Sequence, residues 1–434
     1  MPDTTIVDLR ARRVWDSRGR PTVEAEARLA CGAIGRAIAP AGASRGSREA
    51  IDLRDGGERL GGLDVQGAVS HVNGIIADRL RGENAVQQAQ IDQALIDLDG
   101  TPNKANLGGN ATIATSLACL QAAAAAAGEP LWRYLAAGKP VRLPLPEIQI
   151  FGGGAHAGRR IDIQDLMIMA LSAESFEQAL LMTAEVYRTA GGLMQEQGLL
   201  QGVADEGGFW PAFSSNEEAL DMLMRAIEHA GYRPSDEIAI SLDIAASEFG
   251  RNGRYRLALD ERELDSVEMA EMLMDWCRRY PIVSVEDPLA EDDTAGMGLF
   301  TAAMGEQLQI IGDDYLVTNA SLIAQAAQER ACNAVLIKPN QAGTVSETFA
   351  ALQAAKAADF ATIVSARSGE TEDVSIVHLA LGWDAGQLKV GSFSRSERMA
   401  KWNEVLRIEP ALGGQARFAG RAVLASARKA SMSR

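Results

Sequence analysis

Cysteine is sparse in this chain and nowhere paired: Cys31, Cys119, Cys277 and Cys332 are scattered with no CxxC spacing. That argues against a disulfide-built, secreted protein, and with no secretory n-region and h-region at the N-terminus a reduced, cytoplasmic protein is expected. Positive charge is also in deficit. A net charge of −16 and a pI near 4.9 speak against nucleic acid or an anionic membrane as the main partner, because both would be repelled by an acidic surface. An anion can still be held in a local cationic pocket. No apolar run is long enough to cross a bilayer: the longest, the alanine tract Ala122 to Ala127, is too short and too weakly hydrophobic, and predicts a buried helix instead. The Gly-Lys-Ser/Thr ending of a phosphate loop is missing, and no short solenoid repeat is visible.

What is present is enough apolar residue, 47% of 434, to bury two substantial cores. Within the first 60 residues, β-type segments such as Thr22–Arg28 and Ile34–Ile38 sit between turns rich in Gly, Ser and Asp. From Val65 to about Ala136 apolar residues recur three and four apart, as in Val65, Val69, Val72 and Ile76, which is helical spacing. An N-terminal α+β domain over residues 1–136 is expected, followed by a proline-marked linker, Leu143-Pro144-Leu145-Pro146. Over residues 137–434, eight short β-like runs alternate with helical stretches: Glu147–Phe151, Ile163–Met169, Ile238–Asp243, Ile282–Glu286, Leu308–Asp313, Ala334–Lys338, Ala361–Ser365 and Gln387–Val390. Eight runs predict a closed barrel, and their spacing gives a ββαα(βα)6 order, so the fold class is α/β with a TIM-type barrel. Capping-box pairs at Ser175 and Gln178, Ser215 and Glu218, and Thr344 and Glu347 mark helix starts.

Successive strands end on charge. Asp243, Glu286, Asp313 and Lys338 each close a run, which delivers them to the rim that carries the active site in barrels of this kind. Three carboxylates buried together repel one another unless a cation neutralises them. An all-oxygen donor set, in a chain with only four histidines, favours a hard ion such as Mg2+ over zinc. Lys338 and Lys389 lie in or at the ends of strands, where two ammonium groups near one metal can lower each other's pKa and make a usable base. Three loops add possible contacts. Gly152 to Gly158 carries His156 on flexible backbone, Asp205-Glu206-Gly207-Gly208 carries two acids, and Gly42 to Gly46 carries Ser44 and Arg45. Arg367-Ser368-Gly369 offers a fork-shaped cation and a hydroxyl suited to a phosphate or carboxylate.

Five segments in register resemble enolase: Asp16-Ser17-Arg18-Gly19 with Pro21-Thr22-Val23-Glu24, Asp99 to Lys104, Asp205 to Gly208, Ser368 to Asp373, and Ser394 to Arg398. The resemblance runs from about residue 8 to 410 and implies a dimeric, Mg2+-dependent enzyme converting 2-phosphoglycerate to phosphoenolpyruvate. It further implies that Asp243, Glu286 and Asp313 hold a first Mg2+ and that Ser44 helps hold a second, which arrives with substrate. Lys338 would remove the C2 proton, Lys389 bind the substrate carboxylate and Glu206 protonate the departing hydroxyl. Arg367 and Ser368 would hold the phosphate, His156 close over it and Gln164 line the site.

Three positions depart from the family pattern. Ser365-Ala366-Arg367-Ser368-Gly369 lacks the histidine of Ser-His-Arg-Ser-Gly, Gln164-Asp165-Leu166 replaces Gln-Glu-Phe, and Arg45 replaces a threonine. Asp165 draws its carboxylate back by about 1.5 Å, one bond length. Space opened by Ala366 and Asp165, with a new cation at Arg45, suits a bulkier or more anionic phospho- or phosphono-carboxylate. A paralogue of the carboxyphosphonoenolpyruvate synthase type is the named alternative. A non-catalytic binding protein is the third reading.

Overall fold

The computed structural model describes residues 2–425, so residues 426–434 of the expected barrel domain lie outside the described residues. The chain opens with an antiparallel sheet of β1 (Ile6–Trp15), β2 (Pro21–Leu29) and β3 (Ile34–Ile38), in that order. The sequence reading lacks β1, whose middle is dominated by charge. Those charges have partners in the fold: Arg12 bridges Glu24 on β2 at 2.8 Å, and Arg13 bridges Asp64 at 2.8 Å.

The alanine tract belongs to the helix Gly109–Ala127, which packs on the sheet and is mostly buried. Its small side chains permit a very close approach by β3. A Cβ on Gly35 would lie 2.1 Å from the Ala118 carbonyl oxygen and 2.2 Å from the Ala122 nitrogen, so no larger residue fits without moving the helix. Gly35→Ala should therefore cost about 1 to 3 kcal/mol by overpacking. Urea unfolding measures it, and an unchanged midpoint would mean that the helix backs away freely.

Next come β4 (Leu145–Gly152), β5 (Asp165–Ala170), a hairpin of β6 (Leu200–Val203) and β7 (Phe209–Pro211), and β8 (Ile238–Asp243). A small sheet of β9 (Gly250–Arg251), β10 (Arg254–Leu257) and β11 (Arg262–Asp265) follows, then β12 (Ile282–Glu286), β13 (Gln309–Gly312), β14 (Ala334–Ile337), β15 (Ala361–Ser365) and β16 (Gly386–Ser392). The barrel order is β4-β5-β8-β12-β13-β14-β15-β16, closed by pairing of β16 onto β4. Only β5 runs against both its barrel neighbours. Two helices, Phe176–Glu196 and Asn216–His229, lie between β5 and β8, giving the ββαα(βα)6 order. Leu145 and Pro146 belong to β4, which corrects their reading as linker: a proline is tolerated at the start of a strand.

The three helix caps form as expected. Ser175, Ser215 and Thr344 accept from the amides of Gln178, Glu218 and Glu347. In the first two the return bond goes one residue further back, to the amides of Glu174 (2.8 Å) and Ser214 (2.6 Å). Because β5 is reversed, its first residue, Asp165, pairs with Asp243, the last of β8, and joins the same rim.

Candidate active site

Asp243 and Glu286 close β8 and β12, Asp313 and Lys338 follow β13 and β14, and Lys389 lies in β16; all are buried. Lys389 Nζ donates to Asp243 Oδ2 at 3.0 Å and Glu286 Oε2 at 2.7 Å, with Asp165 Oδ2 at 3.5 Å. Lys338 donates to Asp313, whose other oxygen accepts from Gln341 Nε2 at 2.9 Å. Gln164 donates to Asp243 Oδ2 at 3.1 Å. Asp313 also belongs to a group with Asp287 and Asp314 whose ligand atoms lie within 4.8 Å of one another. Asp287 accepts the backbone N–H groups of Asp313 (2.9 Å) and Asp314 (2.8 Å), so it ties this part of the rim. Burial and the Asp313 charge push its carboxyl up to about 8.

The carboxylates around the two lysines dominate them, although the Lys389 charge does pull Lys338 downward. Burial disfavours both charged forms, but the neighbouring carboxylates outweigh it: Asp313 and Glu286 hold Lys338 above its usual value, and Asp243, Glu286 and Asp165 hold Lys389 well above. Glu286 is pushed well up by burial and by Asp243. Glu286 Oε1 and Asp165 Oδ2 are buried with no hydrogen-bond partner among the described residues. Orphaned carboxylate oxygens in an all-oxygen donor set fit a divalent metal.

A second group faces the first. His156 Nδ1 lies 2.9 Å from Asp165 Oδ1, while its Nε2 is 3.2 Å from Ser368 Oγ and 3.6 Å from Glu206 Oε1. Burial disfavours the imidazolium, but the Asp165 and Glu206 carboxylates override it and raise His156 to about 9. Burial pulls Asp165 upward, yet the His156 charge wins and holds it below the usual carboxylate range. A histidine raised from 6.5 to about 9 stabilises the fold fully below pH 6.5, and that contribution is lost as pH rises through 9. Its scale is about 3 kcal/mol, from the size of the shift. The unfolding free energies of the parent and His156→Gln should thus differ most near pH 6 and converge toward about pH 10. A pH-independent difference would remove the charged imidazole from the account.

Arg367 is gripped from inside the protein. Its Nη1 donates to Glu49 Oε2 and Asn340 Oδ1, both at 3.0 Å, and its Nη2 to the Ser44 carbonyl at 3.1 Å and Glu49 Oε1 at 3.2 Å. Ser44 thus meets this group through its main chain. Ser368 Oγ accepts from the Ala43 amide at 3.1 Å. Arg45 is exposed, and no hydrogen bond or ion pair joins it to the other described residues, so it stands apart from the cluster. A cavity of about 1100 Å³, lined by Arg48, Ser247, Phe249, Arg254 and Glu291 among others, opens beside the rim, but neither lysine lines it.

Sequence reasoning missed Glu49, Asp287, Glu147 and Gln149. Glu147 is fully buried under Lys389, pairs with it in register and accepts from Ser241. Burial raises its carboxyl. A signal existed for the last two: Glu147 and Gln149 are polar residues two apart within the apolar run Leu145–Phe151, so they share one face of a buried strand.

A closed barrel that brings buried acids and two lysines to one rim, behind a helix-backed antiparallel domain, is the build of an enolase-superfamily enzyme of lyase type. Family comparison agrees along nearly the whole chain: residues 6–135 match "Enolase, N-terminal domain" and residues 140–427 match "Enolase, C-terminal TIM barrel domain". The chain belongs to the enolase family.

Proposed function

We propose that this protein is a Mg2+-dependent carbon–oxygen lyase that removes a proton α to a carboxylate and eliminates to an enolpyruvate product. The substrate is 2-phosphoglycerate or a close phospho- or phosphono-carboxylate. The observation that carries the proposal is the pair of buried contacts, Lys338 on Asp313 and Lys389 on Asp243 and Glu286. Asp243, Glu286 and Asp313 would hold the first Mg2+, with Ser44 at a second that comes with substrate. Bound there, the metal takes up the acid charge that otherwise keeps both ammonium groups protonated and balances the charge that develops on the substrate carboxylate. Lys338 takes the α-proton and Lys389 holds the carboxylate. Glu206 gives a proton to the departing group, beside His156 and Asp165, while Arg367 and Ser368 grip the phosphate and Gln164 lines the site. A cytoplasmic homodimer or higher homo-oligomer is proposed on the family resemblance.

A second reading, an enzyme like the carboxyphosphonoenolpyruvate synthases of phosphonate natural-product biosynthesis, is favoured by Ala366, Asp165 and Arg45 together. Arg45 has no ion-pair partner among the described residues and stands next to Ser44, so its charge is available to an added anion on the substrate. A non-catalytic role fits less well, since a binding protein has no use for so many costly buried charges. A coupled assay with 2-phosphoglycerate beside a panel of phosphonate analogues tests the proposal. No turnover of any of them would overturn it. Separately, Asp313→Ala should weaken Mg2+ binding on the order of 10²-fold or more, because it removes a ligand outright. Calorimetry measures this, and unchanged affinity would sink the ligand assignment.

A further inference from the structure

Gln149 sits within β4, fully buried, with no part in the reading above. Both ends of its amide are engaged. Nε2 donates to Asp165 Oδ1, the oxygen that also meets His156 Nδ1 at 2.9 Å, and Oε1 accepts from the Gly208 amide at 2.8 Å. Gly208 lies two residues beyond Glu206, and a Cβ there would fall 2.3 Å from Gln149 Oε1, so only glycine lets the loop come this close. The orientation is forced. Reversing the amide would set its oxygen against the Asp165 carboxylate and its NH2 against the Gly208 N–H. A charged glutamate would repel Asp165, and an apolar side chain would make neither bond. Gln149 and His156 together load one oxygen of Asp165, leaving Oδ2 without a donor and 3.5 Å from Lys389.

We infer that Gln149 is a positioning residue that sets the spacing between Asp165 and the loop carrying Glu206, and so governs the elimination half of the reaction. This rests on the proposed division between proton abstraction by Lys338 and elimination at Glu206. Gln149 touches no reacting atom and acts through Asp165 and Gly208.

The test uses the full chain with Mg2+ and the variant Gln149→Met, which keeps the length of the side chain and loses both hydrogen bonds. Without substrate, hydrogen exchange at the Gly208 amide, followed by NMR, should accelerate by about tenfold or more while amides in β12 and β13 stay protected. With the substrate identified by the panel, elimination should fall by roughly 10²-fold, the loss expected from a displacement of about 1 Å. Exchange of the α-proton with solvent should stay within about threefold, because the abstraction step keeps its own groups. Unchanged Gly208 protection overturns the proposal, as does unchanged elimination. Faster exchange throughout the barrel, with both half-reactions falling together, also overturns it, because that is the mark of a packing role. If the unmodified protein eliminates nothing from the panel, the lyase reading falls, and Gly208 protection alone then decides whether Gln149 is the tether.

Discussion

Lys338→Ala should abolish exchange of the substrate's α-proton with solvent, by roughly 10² to 10⁴ or more, because no second base has its position. The loss is read as retention of the α-proton signal when substrate and Mg2+ are held in D2O. Glu206→Gln should behave in the opposite way: exchange persists while elimination falls by a comparable factor, since a glutamine of the same shape has no acidic proton to give. The separation follows from the layout, in which Lys338 contacts Asp313 while Glu206 lies across the rim, 3.6 Å from His156. Surviving exchange in Lys338→Ala would transfer the base role, with Lys389 the next candidate. Exchange lost in both variants would mean that the two half-reactions share one group.

Ordinary 2-phosphoglycerate turnover is expected to be poor, and Ala366→His, Asp165→Glu and Arg45→Thr combined should raise it by about 10² or more if acid-base help is restored. Asp165 accepts from both Gln149 and His156, so lengthening it disturbs a shared set of bonds and the substitutions will not act independently. The triple variant is therefore more informative than the singles. Should the unmodified protein already turn over 2-phosphoglycerate at roughly 10 to 10³ per second, the site has not been re-cut, and the three changes are tolerated substitutions in an ordinary enolase.

Strand positions were legible as short apolar runs that end in a polar or charged residue. Ile238–Asp243, Ile282–Glu286 and Ala361–Ser365 match the fold residue for residue. β1 escaped notice because its charged residues, among them Arg12 paired with Glu24 on β2 and Arg13 with Asp64, do not alternate plainly with apolar ones. The β6–β7 hairpin escaped because β6 is exposed along its whole length. Within the site, the residues on strand ends announced themselves, whereas their partners did not. Glu49 meets Arg367 across 318 residues of chain, a contact that leaves no local trace. The acids that meet each ammonium were hidden in the same way: sequence placed the two lysines near each other but did not pair Lys338 with Asp313 or Lys389 with Asp243 and Glu286.

The reversal of β5 divides the rim by ancestry of contact. Groups on the parallel strands reach the site from βα units, where altering the strand end also disturbs a helix packed against the barrel wall. His156, Gln164 and Asp165 reach it from a single connection that leaves β4 and returns on β5 at the same end of the barrel, with only the short 3-10 turn Gly154–Ala157 between. That stretch is one piece of backbone tied to the rest of the rim by Gln164 on Asp243 and His156 beside Ser368. A change within it therefore moves His156, Gln164 and Asp165 together and is felt at Asp243 and Lys389, whereas a change at a parallel strand end is felt first by the helix that follows.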